Sequence, residues 1–288
     1  MRILQPVQTA SFIGLLLLPC VPAGWSFEVD THGRISQSAF DQSVLGKSYL
    51  EEELGLDRER PLGSLTPRAL LREGSVHEDD RLRFINHFYD PVNDRGLRTI
   101  LCGGGFRAHE WAFSQPSEPA DLRFGWVDAR QSFFSGLTAR DPQAREAAKA
   151  RMFRALGDVI HLIQDMGSPE HTRNDPHAGV AILGWFPCGT NSLFEGWTKE
   201  RQDAFSYIGY PSPLFPGFND YWTTATGLGF SEFTNRSFVS KSTNFTVAEE
   251  GTAGLGYPEP RLRLGLQSVM DIRDPSLMGP DFPLAGFM

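Results

Sequence analysis

The sequence predicts an all-α fold, and three observations carry that prediction. One segment, from Asp141 to Met166, has a complete helix signature with its own start and stop. Several other segments place apolar residues at intervals of three and four. No stretch alternates apolar and polar residues as a half-buried strand does. At 288 residues the chain has room for one large domain, or a domain with a small annex.

Taken in order, residues 1–24 read as an export signal rather than as part of the fold. Arg2 supplies the charge, Phe12 to Leu18 an apolar core too short to span a bilayer, and Val21-Pro-Ala23 a small-residue cleavage pattern. Pro19, directly before Cys20, fits a lipoprotein signal poorly. The expected location is therefore secreted or periplasmic. The first helix candidate runs from Ile35 to Leu54, with Phe40, Val44, Leu45 and Leu50 near helical spacing. A short one spans Leu65 to Leu71 and ends at Gly74, and another spans Trp126 to Leu137. The clearest helix begins at Asp141, an N-cap, with Pro142 in the first helical position, and stops at Gly167-Ser-Pro169. Ala148, Met152, Ala155, Leu156, Val159, Ile160 and Ile163 cover most of its surface, which predicts a buried helix. Asn191 to Phe205 and Tyr221 to Val239 carry weaker helical spacing. Long loops are expected at 88–124 and 167–190. The result is an all-α domain at 25–245 and a loop-rich extension at 246–288.

Hydrophobic residues make up 40% of the chain and charged residues 22%, the balance of a folded globule rather than a disordered chain. The formal net charge of −8 argues against a strong non-specific polyanion binder. It leaves room for an anionic substrate, because bound divalent cations invert the local sign. Cys102 and Cys188 would be free to pair in an oxidising compartment, and neither lies in a CxxC pattern that would suggest a cysteine zinc site. The sequence holds no Ser-His-Asp nucleophile elbow, Walker loop or dinucleotide fingerprint.

The chemistry is concentrated in HLIQDMGSPEH. His161 and Asp165 are four residues apart on the apolar helix, so their side chains leave from one face, about 6 Å apart at Cβ. His171 follows just past the Gly-Ser-Pro break, where the chain can fold back toward them. A buried carboxylate beside a histidine is costly without a partner, and a divalent metal is an effective one. A lone His–Asp pair would read as a helix-end cap. With His171 added, the metal reading prevails.

With its H-x3-D-x5-H spacing, this segment resembles the core motif of the zinc-dependent phospholipase C and single-strand-specific zinc nuclease superfamily. Two further blocks extend the resemblance. Gly74-Ser75 with Asp79, then His87-Phe88-Tyr89-Asp90-Pro91, is similar to the family's G-S-x3-D and H-F-x-D-P blocks, with a shorter gap between them. His32, in Asp30-Thr-His-Gly shortly after Trp25, is the second. The similarity runs from about Trp25 to Phe205, and three blocks in order are more specific than any one.

The resemblance implies a trinuclear zinc site. Asp79, or its neighbour Asp80, would hold one ion with His87, His161 and Asp165. Asp165 would bridge to a second ion held by His32 and by the backbone amine and carbonyl of Trp25. That role requires Trp25 to be the first residue after cleavage, whereas the small-residue pattern places the cut after Ala23. The third ion would use His171 and the family's H-x3-E, which here reads Asn191-Ser-Leu-Phe-Glu195. Asparagine is a poor zinc ligand. His177 either supplies the missing nitrogen or is a solvated loop histidine, and Glu195 is the firmer assignment.

The family's activity implies phosphodiester hydrolysis by an activated water in line with the leaving group, with Asp79 orienting that water or taking its proton. The G-S-x3-D and H-F-Y-D-P blocks look closer to the lipases than to the nucleases of the superfamily. A phospholipid is therefore the expected substrate, with transient contact at a membrane surface. No stable nucleic-acid complex is expected, and the chain is expected to be a monomer. A single-strand nuclease is the alternative, and a degenerate zinc-binding protein without turnover is the third reading, favoured by Asn191. Other conspicuous residues take plainer roles: His77 in a loop, His109 at the surface or behind a ligand, Asp158 behind His161. Trp111, Trp126, Phe133, Phe134 and Trp197 are expected in the core.

Overall fold

The computed structural model describes residues 29–240, apart from 81, 100–102, 182–186, 190–191, 204–216, 228 and 239. In chain order its helices are α1 (Val29–Gln42), α2 (Tyr49–Glu52), α3 (Pro67–His77), α4 (Ala108–Ser114), α5 (Trp126–Thr138), α6 (Pro142–Asp165), α7 (Pro169–Thr172), α8 (Leu193–Arg201) and α9 (Phe230–Ser237). Two small antiparallel hairpins complete it: β1 (Arg98–Thr99) with β2 (Gly103–Gly104), and β3 (His177–Ala181) with β4 (Pro187–Gly189). The architecture is mostly helical, as the spacing of apolar residues predicts. Among the described residues no helix is long and apolar enough to cross a membrane. The expected export signal, Trp25 and the extension at 246–288 lie outside the described residues, as do Asn191 and Cys102.

The long helix α6 is the post around which the rest is arranged. Asp141 caps it by accepting from Gln143 N and Ala144 N, and Pro142 opens it at no hydrogen-bond cost. Helices α3 and α5 pack along it, and α1 lies against α3. Its first half contributes Met152 and Phe153 to one apolar cluster with Phe40, Leu50, Leu56, Leu62, Leu70 and Leu71. Its end contributes Leu162 and Met166 to a second, with Tyr89, Ala108, Trp111, Ala112 and Trp222. Each fully buried leucine, phenylalanine or methionine among them stabilises the fold by roughly 1.5–3 kcal/mol. Between the clusters, Asp158, His161 and Asp165 form a buried polar stripe on one face of α6.

Two glycines set the depth of the α3–α6 contact. A Cβ on Gly74 would stand 2.0 Å from Arg154 O, and one on Gly157 would stand 2.1 Å from Leu71 O. Any larger residue at either position would hold the helices apart. The G-S dipeptide singled out by the sequence is thus a helix-crossing device.

Several boundaries differ from the sequence reading. The helix expected over Ile35 to Leu54 is interrupted, because Ser43 turns its hydroxyl to Leu45 N and caps a 3-10 turn at Val44–Gly46. The segment Tyr221 to Val239 keeps only α9, since the Gly229 backbone lies against Trp222 O and Thr223. The expected loop at 88–124 contains α4, and the loop at 167–190 contains α7 and the β3–β4 hairpin. Phe133 and Phe134, expected in the core, are 38% and 67% exposed on the outer face of α5. Asn235, in an Asn-x-Ser pattern, is fully buried and donates to Thr172 O at 2.7 Å, so the folded chain offers no glycan acceptor there.

Candidate metal centre

The polar stripe on α6 is the floor of a buried cluster built from seven parts of the chain. His32 comes from α1, Asp79 from the end of α3, and His87 from the close of a 3-10 turn at Arg83–Asn86. His161 and Asp165 come from the last turns of α6, and His171 from α7. His177 opens β3, and Glu195 lies in the first turn of α8, where Ser192 caps the helix by accepting from Glu195 N. All eight side chains are buried. Every sequence-predicted ligand among the described residues is therefore in one place.

Asp165 sits at the centre and divides its two oxygens. Oδ1 faces His32 Nε2 at 3.3 Å and His171 Nε2 at 3.8 Å. Oδ2 faces His87 Nδ1 at 3.0 Å and His161 Nε2 at 3.3 Å. Asp79 Oδ1 stands 3.5 Å from His87 Nδ1 and 3.7 Å from His161 Nε2. Asp79, not Asp80, is the inward carboxylate: Asp80 is half-exposed and pairs with His77 at 2.7 Å. Glu195 Oε1 lies 2.8 Å from His177 Nε2 and 3.6 Å from His171 Nε2. His177 is thus a buried partner of Glu195 and not a solvated loop residue.

Hydrogen bonds behind the rings decide which nitrogen each one presents. His161 Nδ1 donates to Ser75 O at 2.6 Å, His171 Nδ1 to His87 O at 2.9 Å, and His177 Nδ1 to Asp175 O at 3.0 Å. His32 Nδ1 lies 2.7 Å from Gln164 Oε1, and Gln164 is steadied by donating to Ser36 Oγ. An Nδ1 that carries the proton leaves Nε2 with a lone pair, and in all four rings Nε2 faces the carboxylates. The ring of His32 stacks on that of His161 with centroids 3.8 Å apart.

The charges are tightly coupled. Burial disfavours charge on His87, but Asp165, with Glu78 and Asp79, outweighs it and raises its pKa to about 10. Burial is likewise overcome at His177 by Glu195, which raises it to about 10, and at His161 by Asp165 and Asp79. Burial and the neighbouring His161 push His32 down. Burial raises Asp79. At Asp165 and Glu195 burial loses to the surrounding imidazoles, and both carboxyls are held well below their usual range.

The donor set fits a metal. Neither oxygen of Asp79 or Asp165 accepts a well-directed hydrogen bond. Buried carboxylates left in that state are costly, and a divalent cation supplies what they lack. Three groups bring their ligand atoms within 4.8 Å of one another: His32 with Asp79 and His161, His87 with His161 and Asp165, and His171 with His177 and Glu195. Each buried group could hold an ion, and imidazole nitrogen with carboxylate oxygen suits zinc.

Sequence reasoning missed the residues behind the ligands. Gln164 lies inside HLIQDMGSPEH, between two ligands, and Glu78 directly precedes Asp79. Adjacency to a ligand was the available signal in both cases. Asp158 is buried and pairs with Arg154 at 3.2 Å and with Arg83 at 3.4 Å. His109 is half-buried on α4 against Tyr89, away from the carboxylates. No protein-family model matches the chain, and no characterised protein matches it closely enough to count as a relative.

Proposed function

We propose that the chain is an extracytoplasmic zinc-dependent phosphodiester hydrolase of the phospholipase C type, which releases a phosphorylated head group from a glycerophospholipid. One observation carries the reading. His32, Asp79, His87, His161, Asp165, His171, His177 and Glu195, scattered over most of the described chain, meet in one buried cluster with their acceptor atoms turned inward.

In this reading His87, His161, Asp79 and Asp165 would hold one ion, and His171, His177 and Glu195 would hold another. His32 and Asp165 would contribute to a third, which Trp25 would complete. Zinc so bound would supply Lewis acidity, lowering the pKa of a water toward about 7 and offsetting charge that builds on a phosphate. The protein's own part is positional. Asp165, with its oxygens turned to opposite sides, holds neighbouring ligand groups at a fixed separation. Asp79 keeps an acceptor oxygen beside His87 and His161, where it orients the attacking water or takes its proton. Transient contact with a lipid surface goes with that substrate. His177 completes the group with His171 and Glu195 where Asn191 departs from the family pattern, which weighs against a degenerate protein.

The test combines metal content and turnover on protein with its mature N-terminus determined. Zinc should be retained, and phosphatidylcholine should be hydrolysed faster than single-stranded DNA. His161→Ala and Asp165→Ala should each lose zinc and activity together. Cleavage of DNA in preference to lipid would favour a nuclease. Unchanged zinc content in either variant would refute the assignment.

A further inference from the structure

His87 differs from the other four imidazoles in the cluster. Its inward atom is Nδ1, which lies 3.0 Å from Asp165 Oδ2, 3.5 Å from Asp79 Oδ1 and 3.3 Å from His161 Nε2. Its Nε2 points away from the cluster, is buried, and has no hydrogen-bond partner. It faces Glu78 Oε1 at 3.7 Å, slightly beyond hydrogen-bond length.

Glu78 is fully buried and firmly held. Trp111 Nε1 donates to its Oε1 at 2.6 Å and Gln115 Nε2 to its Oε2 at 3.3 Å, both from the α4 end of the second apolar cluster. Arg83 also donates to Oε2 and stands 3.4 Å from Asp158 on α6. Glu78 and Asp79 are consecutive, so the end of α3 sends one carboxylate in front of the His87 ring and the other behind it.

We infer that Glu78 is a positioning residue that fixes His87 as the one ligand binding through Nδ1, by accepting the proton on its Nε2. The inference rests on the metal-centre reading above. An imidazole that coordinates through one nitrogen must carry its proton on the other, and a carboxylate behind that proton fixes ring orientation and raises ligand basicity. A bulky, braced acceptor behind a single ring explains why a glutamate is buried at this place among Trp111, Gln115 and Arg83. The closing movement needed is a small rotation of one imidazole.

The experiment uses the full chain loaded with zinc and carrying 15N-labelled histidine. Nitrogen shifts should show His87 coordinated at Nδ1 and protonated at Nε2, with His161, His171 and His177 the other way round. Glu78→Gln should weaken zinc binding by about 10- to 100-fold in a chelator competition and mix the His87 tautomers. His87 coordinated through Nε2 in the wild type overturns the inference without any variant having to fold. A folded Glu78→Gln protein with wild-type affinity and an unchanged His87 ring overturns it too. Both outcomes leave the metal centre standing, whereas a wild type that takes up no zinc removes the centre and this inference with it.

Discussion

Gly74→Ala tests whether the helix crossing sets the metal centre. The added Cβ would sit 2.0 Å from Arg154 O, against ordinary contact at 3.4 Å or more, so α3 must move by about 1.4 Å relative to α6. The neighbouring Ser75 carbonyl moves with it. Its bond to His161 Nδ1, now 2.6 Å, would stretch to about 4 Å and cease to be a hydrogen bond. Overpacking costs about 1–3 kcal/mol, and the lost bond about 1 kcal/mol more. For a chain of this size those costs lower Tm by roughly 4–16 °C. Loss of the support behind a ligand should weaken zinc binding by about 10- to 100-fold. Thermal melts in the zinc-loaded and chelated states, with a chelator titration, measure both. Gly196→Ala is the control, because a Cβ there meets nothing within 4 Å although Glu195 is its neighbour. That helix position should gain about 0.5–1 kcal/mol and keep its zinc. Wild-type melting and zinc affinity in Gly74→Ala would refute the account of the crossing.

Three further outcomes follow from the same geometry. His177→Ala should lower zinc content by one ion per chain while Asn191→Ala leaves it unchanged, as read by metal analysis after dialysis. Removing zinc with a chelator should lower Tm, each ion present at 100 times its Kd having contributed about 2.7 kcal/mol; an unshifted melt would mean that no ion is bound. Protons compete with zinc for the same nitrogens, so binding should release protons in weakly buffered solution and affinity should fall as pH falls. Flat affinity between neutral and mildly acidic pH, measured by calorimetry in two buffers, would contradict imidazole ligation.

What was legible in the sequence followed from periodicity. α6 announced itself through Asp141, Pro142 and a nearly continuous apolar surface, and His161 and Asp165 then fell on one face by helical geometry alone. The G-S-x3-D block pointed to Asp79, although spacing could not separate it from Asp80. The structure does so through the turn at the end of α3, which leaves Asp80 outside with His77. Short elements were the least visible. α4 and α7 have seven and four residues, too few for a period to emerge, and each owes its form to tertiary contacts.

His177 shows where such reasoning stops and why. It precedes Glu195 by eighteen residues, a separation that no helix or strand rule turns into contact. Only the tertiary fold, which sets His177 against His171 and the start of α8, brings its Nε2 to 2.8 Å from Glu195 Oε1. The same limit applies to proton placement. A histidine in a motif is a candidate ligand through either nitrogen, and the choice is made by whatever lies behind the ring. Here carbonyls of Ser75, His87 and Asp175 settle three rings. Those acceptors are backbone atoms, present at every position and so invisible as sequence signals. The identity of a candidate ligand therefore belongs to sequence, and its protonation to the packing of one helix on another, which is why a methyl group at Gly74 should be felt at the candidate metal centre.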